Sequence, residues 1–151
     1  MKSVIDYVVD NFTDHEIFLV GSSAGAPTTG AVIDYSPKII GACFIGYVWG
    51  YLGSFVFGWA YKPIAESSKP KLFVCSDCDQ YTSIAQYQYR LAELKGAINE
   101  MKVIEGKDHY EIEQPAFDEI VTEWIHEFIV EKIQPSSSAP VGPVHMSRNG
   151  R

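Results

Sequence analysis

The chain has 151 residues, 46% of them hydrophobic and 21% charged, with a net charge of −7. That length fits one globular domain able to bury a substantial core. The acidic balance and scattered Lys and Arg exclude a phosphate-backbone-binding protein, which needs a basic face, and no nucleic-acid partner is expected. Three cysteines, an odd number, and the lack of an apolar leader-like run in the first ten residues point to a reducing, cytoplasmic setting.

Val4, Ile5, Val8 and Val9 recur at helical spacing and predict a helix over 3–11. An apolar run over 16–20 predicts a strand. Small residues over 24–34 predict a helix ended at Ser36-Pro37. Residues 39–45 predict a second strand, 70–75 a third, 83–94 a helix and 101–105 a fourth strand. A closing helix is predicted over 115–133, with Pro115 in its first turn and an apolar stripe from Phe117 to Phe128. Near-continuous apolar strands alternating with helices predict an α/β fold, a parallel sheet of about four strands flanked by helices. The domain is expected over 1–133. Residues 134–151, rich in Ser and Pro and without periodicity, predict a disordered tail.

Residues 39–61 contain no charge and a G-x-x-x-G at Gly46 and Gly50. Five glycines in the run and a lysine at each flank, Lys38 and Lys62, argue against a membrane span. The expectation is a buried strand and then an apolar, aromatic loop walling a pocket.

The run "IFLVGSSAGAP" carries Gly21-Ser22-Ser23-Ala24-Gly25, a G-x-S-x-G between a predicted strand and a predicted helix. A serine on so sharp a turn is forced into a strained backbone, which projects its Oγ at the strand's carboxyl end. Small neighbours at −2 and +2 are expected to relieve clashes, and the next N–H, that of Ala24, faces where an oxyanion forms. The competing reading is a plain helix N-cap by Ser22 or Ser23. No G-K-[ST] or G-x-G-x-x-G follows, so a phosphate loop and a dinucleotide turn are excluded.

A serine hydroxyl needs a base. Of the four histidines, His15 lies at the wrong end of the first strand, His126 inside the last helix and His145 in the tail. His109 follows the fourth strand, on the edge where all carboxyl ends of a parallel sheet open. The orienting carboxylate comes from Asp77 or Asp79, just past the third strand, with Asp79 favoured. Asp108, adjacent to His109, is weaker because neighbouring side chains diverge. The order Ser, Asp, His is that of an α/β-hydrolase sheet.

"VGSSAGAP", "PKLFVCSDCDQYTS" and "IEGKDHYE" together resemble three blocks of small, cofactor-free α/β-hydrolases of the dienelactone-hydrolase-like branch. The resemblance covers roughly residues 4–130. It places the acid at Asp79, followed by Tyr81-Thr82, and the base at His109, followed by Tyr110. It implies a serine hydrolase acting on an ester or related acyl substrate, with catalytic Ser23, Asp79 and His109, motif glycines Gly21 and Gly25, an Ala24 oxyanion donor, and no cofactor or metal. The alternative is a non-catalytic α/β-hydrolase-like binding or assembly domain.

Two departures stand out. Ser76 replaces a glycine usual at the third strand's end, and only 22 residues precede Ser23. The resemblance then implies the carboxyl-terminal portion of the fold, short of the loop that supplies a second oxyanion donor, a loss worth about a hundredfold in rate. Strand 16–20 becomes a sheet edge, open to self-association. Cys75-Ser76-Asp77-Cys78 is a C-x-x-C, but with no second pair it predicts a buried Cys75 and a loop Cys78. Tyr47, Trp49, Tyr51, Phe55 and Trp59 are expected to favour an apolar acyl or aromatic group.

Overall fold

The computed structural model describes residues 1–134, with the side chains of residues 51, 52 and 54 not described. Beyond Gln134 the predicted tail, with His145, lies outside the described residues. Four strands, β1 (Ile17–Ser22), β2 (Ile39–Ile45), β3 (Lys71–Ser76) and β4 (Asn99–Ile104), form one parallel sheet in the order β1-β2-β3-β4. Helices α1 (Lys2–Asn11), α2 (Gly25–Gly30), α3 (Tyr51–Glu66), α4 (Ile84–Glu93) and α5 (Asp118–Glu127) complete it. The predicted elements recur within a few residues, with three differences.

The apolar segment after β2 is mostly helix rather than loop: α3 occupies Tyr51–Glu66 and carries Pro63 inside it. A charge-free sequence rich in aromatics gives no polar face by which to recognise an amphipathic helix. α3 leaves Phe55 (87%) and Trp59 (60%) largely exposed. No helix among the described residues is long and apolar enough to cross a membrane. Second, α2 is only six residues long, because its glycines and Thr28-Thr29 are poor helix formers. Third, the closing helix begins as a tight turn at Pro115–Phe117 and widens after Phe128, where the Gln134 N–H reaches the Ile129 carbonyl.

The two-residue period of the strands sorts the core. Ala42, Phe44, Phe73 and Cys75 point to the face covered by α2, α3 and α4, where Ala26, Ile64 and Tyr87 meet them. Cys43, Leu72, Val74 and Ile104 point to the other face, against Val121 and Phe128. Both sides of β3 are fully buried, and each large apolar side chain there contributes about 2–3 kcal/mol. α1 seals the β1 end through Ile5, packed with Val32 and Ile39.

Lys71, the first residue of β3, is fully buried. Its Nζ donates to the carbonyls of Ser67 (2.7 Å), Lys69 (2.9 Å) and Lys95 (2.9 Å). Burial pulls this ammonium down to about 8, while Asp34 pushes the other way. The three carbonyls use all three N–H donors of the charged form and tie the connections before β3 and β4 together. Lys71→Met strands those acceptors without water, so it should lower unfolding stability by about 2–3 kcal/mol, read from the urea midpoint.

Candidate active site

Every strand runs the same way, so the loops after β1, β2, β3 and β4 open on one edge of the sheet. Ser23 leaves β1 there with φ +46°, the one non-glycine left-handed residue among those described. This conformation costs a side-chain-bearing residue about 1–3 kcal/mol. It is held by the Ser23 N–H bond to the Ile45 carbonyl and by the Ala26 N–H bond to the Ser23 carbonyl. A Cβ at Gly21 would come within 2.3 Å of Thr29 Oγ1 and 2.9 Å of the Gly25 carbonyl oxygen, so the turn demands glycine there. Gly25 differs from expectation: a Cβ on it meets nothing within 4 Å. Neither serine caps α2, which has no side-chain cap.

Ser23, His109 and Asp79 come together. Ser23 Oγ lies 2.8 Å from His109 Nε2, and His109 Nδ1 lies 2.7 Å from Asp79 Oδ2. The His109 and Asp79 side chains are almost wholly buried. Asp79 Oδ1 accepts the N–H groups of Tyr81 (2.7 Å) and Thr82 (3.0 Å), so both carboxylate oxygens are engaged. That arrangement follows from an aspartate followed by a tight turn into α4, itself capped by Ser83 and Gln86 in reciprocal bonds.

The other candidate acids have different work. Asp77 Oδ1 accepts the Gly106 N–H at 2.7 Å and braces the loop after β4. Asp108 Oδ1 accepts the N–H groups of Tyr110 and Glu111, both at 2.9 Å, and shapes the turn after His109. His15 sits at the far end of β1 against Phe12, and His126 is in α5.

Burial raises the Asp79 pKa, but its bonds from His109, Tyr81 and Thr82 outweigh this and hold it below 3.8. The Asp79 hydrogen bond raises His109 above its ordinary 6.5, burial pulls it back, and the charges of Asp79, Glu113 and Asp108 add to the rise.

A cavity of about 180 Å³ opens beside Ser23 and Ala24, walled by Val48, Phe57, Tyr81 and Tyr110. The aromatic wall expected from the sequence is placed differently. Tyr47 and Trp49 are core residues packed on Phe73, and Phe55 and Trp59 face outward. The Tyr51 side chain is outside the described residues. Tyr47 and Trp49 line a neighbouring cavity with Val48 and Phe57 rather than the one beside Ser23. The Ala24 N–H takes no acceptor among the described residues.

Three contacts had no local signal in the sequence: Ser22 Oγ donates to Glu113 Oε1, Gln80 Oε1 accepts the His109 N–H, and Tyr81 and Tyr110 hydrogen-bond through their hydroxyls. Cys75 is buried and Cys78 exposed, both as free thiols, and burial pushes the Cys75 thiol up to about 12. Ser76, in place of the expected glycine, is fully buried with an unpartnered Oγ. Among the described residues no cluster of three or more His, Cys, Asp or Glu side chains could hold a metal ion.

No protein-family model matches the sequence, and neither does any curated protein. Solved structures do match. A monoacylglycerol lipase of Paleococcus ferrophilus superposes with TM-score 0.64 at 14% identity, over 86% of this chain and 74% of that one. The esterase domain of a Rhodothermus marinus protein gives 0.69 at 13%, over 85% and 65%. An alpha-beta serine hydrolase homologue from Coxiella burnetii gives 0.65 at 19%, over 85% and 56%. The fold is therefore of the α/β-hydrolase type, and this chain spans 56–74% of the length of these three structures.

The pair has a pH signature whose sign follows from the two shifts. His109 is raised, so its contribution to stability is present below 6.5 and lost as pH rises through its folded value. Asp79 is lowered, so its contribution is present above 3.8 and lost as pH falls through its folded value. Asp79→Asn should lower the His109 pKa, followed by NMR titration of the imidazole; an unmoved titration would break the assignment of Asp79 as its partner.

Proposed function

We propose that the protein is a serine hydrolase acting on an ester or related acyl substrate. One observation carries the reading: Ser23, at φ +46° on the turn, is bonded at 2.8 Å to a histidine that is itself bonded at 2.7 Å to a buried aspartate. The lipase and esterase likenesses support the fold in which such a turn is used.

In this reading the Ser23 Oγ attacks the acyl carbon as His109 Nε2 takes its proton. The developing oxyanion accepts from the Ala24 N–H, which has no acceptor among the described residues. The imidazolium hands its proton to the leaving oxygen, and the C–O bond breaks. Water then attacks the acyl-serine with His109 again as base, releasing the acid and restoring Ser23. Asp79 keeps the proton on Nδ1, so Nε2 is the free base. Apart from the attacking water, the groups in these steps are ones this chain carries, and the reading calls on no cofactor. Val48 and Phe57 make the cavity mouth apolar, and about 180 Å³ suits a small apolar acyl group.

The open side of β1 supports a second reading, a binding or assembly domain. β1 pairs only with β2 among the described residues. The Ile17 and Ser23 N–H groups bond toward β2, so by alternation those of Phe18, Val20 and Ser22 face outward, and Val20 is 51% exposed. An edge of this kind can take a second copy of the chain.

Intact mass after fluorophosphonate treatment separates the two. Serine-hydrolase chemistry gives one adduct on the parent and none on Ser23→Ala. A folded parent that takes no adduct, and whose sedimentation shows dimers with rising concentration, favours assembly. With turnover on a short-chain ester, kcat/KM should fall tenfold per pH unit on the acid side, the break lying above 6.5 because catalysis needs neutral His109.

A further inference from the structure

His109 is boxed in by more than its two hydrogen bonds. Tyr81 lies edge-on to the imidazole at 4.8 Å and 79°, and Tyr110 at 5.6 Å and 89°. The two tyrosine rings meet each other at 6.0 Å and 85°, so the three rings are mutually near-perpendicular. Gly46, with φ +57°, also lies close: a Cβ there would stand 3.0 Å from His109 Cε1 and 3.4 Å from Nδ1, so no side chain fits between them. Two soft hydrogen bonds at Nδ1 and Nε2 still let the ring rock about its Cβ–Cγ bond. The perpendicular tyrosine rings and the close approach of Gly46 narrow that rocking.

The tyrosines come from different loops. Tyr81 follows Asp79 between β3 and α4 and donates its N–H to that carboxylate. Tyr110 follows His109 after β4, its N–H held by Asp108. Their hydroxyls bond to each other across the 29 residues that separate them. We propose that Tyr81 and Tyr110 are positioning residues: their hydroxyl-to-hydroxyl bond latches the loop that carries the acid to the loop that carries the base, and their rings set the plane of His109.

The latch matters because a 2.7 Å His–Asp bond depends on two loops keeping register. A shift of a few tenths of an ångström lengthens it and lowers the basicity of Nε2. The bond to Tyr110 also raises the Tyr81 phenol above 10, so its proton stays in place at neutral pH. The charged groups facing His109 are Asp79 from the β3–α4 loop, Asp108 on its own loop and Glu113 on the turn that follows. The elements before β3 bring Ser23 and Gly46, which carry no charge. Among the described residues these carboxylates are the charged groups against which the effect of the latch on His109 is read.

The proposal rests on His109 as the base of the hydrolase reading, and the test separates the two. Tyr81→Phe, Tyr110→Phe and the double variant keep all the rings and remove only hydroxyls. Each single change should slow fluorophosphonate inactivation about fivefold, the worth of one hydrogen bond, with the His109 NMR titration moving to lower pH. The double variant should be no worse than the poorer single one, because both changes cut the same bond. Tyr110→Leu, which takes the ring as well, should go further on both readouts. Additive losses, or a His109 titration unchanged in all three Phe variants, would overturn the latch. A parent that takes no adduct ends the hydrolase reading, but the His109 titration still decides the latch by itself.

Discussion

Ser23 cannot relax. Its left-handed backbone is held between a ladder bond to the Ile45 carbonyl and the first turn of α2, with Thr29 packed so close to Gly21 that no other residue fits there. A strained serine in a loop would fall into a commoner conformation and release about 1–3 kcal/mol. Here that route is closed by a strand on one side and a helix on the other. The sheet does more than carry the serine, since its parallel order brings the turns after β3 and β4 to the same edge. What holds Ser23 open thus also holds His109 and Asp79 within reach.

Burial then decides the electrostatics. Alone, burial would drive Asp79 toward its neutral form; three donated hydrogen bonds, from His109, Tyr81 and Thr82, together with the His109 charge, keep it ionised. Two of these come from the backbone of the Tyr81-Thr82 turn, which is fixed in turn by Thr82 Oγ1 donating to the Tyr47 carbonyl and accepting the Trp49 N–H. Tyr47 and Trp49 pack on Phe73 in the core. Tyr47 and Trp49, two of the rings that sequence reasoning assigned to a ligand, are therefore the footing of the loop that carries Asp79. A void made there would act on Asp79 through Thr82, without changing a residue that lines the cavity beside Ser23.

The sequence was most informative where the chain is periodic or where an atom needs a fixed partner. Short, near-continuous apolar runs located all four strands, and parallel order put Ser23, Asp79 and His109 on one edge. Asp108 was set aside as the neighbour of His109, and between Asp77 and Asp79 the greater distance past the strand end favoured Asp79. Contacts between loops were illegible, because nothing local links Ser22 to Glu113 across 91 residues or Tyr81 to Tyr110. α3 was misread as a loop for a related reason: periodicity signals a helix by contrasting two faces, and this segment exposes Phe55 and Trp59 as readily as it buries Ala60 and Ile64. The buried Lys71 was equally silent, since a lysine opening a strand normally reads as a solvated end.

β1 holds the most exposed position in the sheet and the most constrained residue in the chain. An edge strand bonded on one side only is the first to fray, yet it ends in Ser23. Three contacts independent of strand pairing resist this. α1 lays Ile5 over Ile39 and Ile17, Thr29 of α2 packs against Gly21, and Ser22 bonds to Glu113 on the turn beyond His109. The last of these links the residue before Ser23 directly to the segment after His109, so fraying of β1 would pull on both partners of the Ser23–His109 bond at once. Geometry at the site is therefore tied to the sheet edge through Glu113, and the 2.8 Å contact between Ser23 and His109 depends on β1 keeping its place.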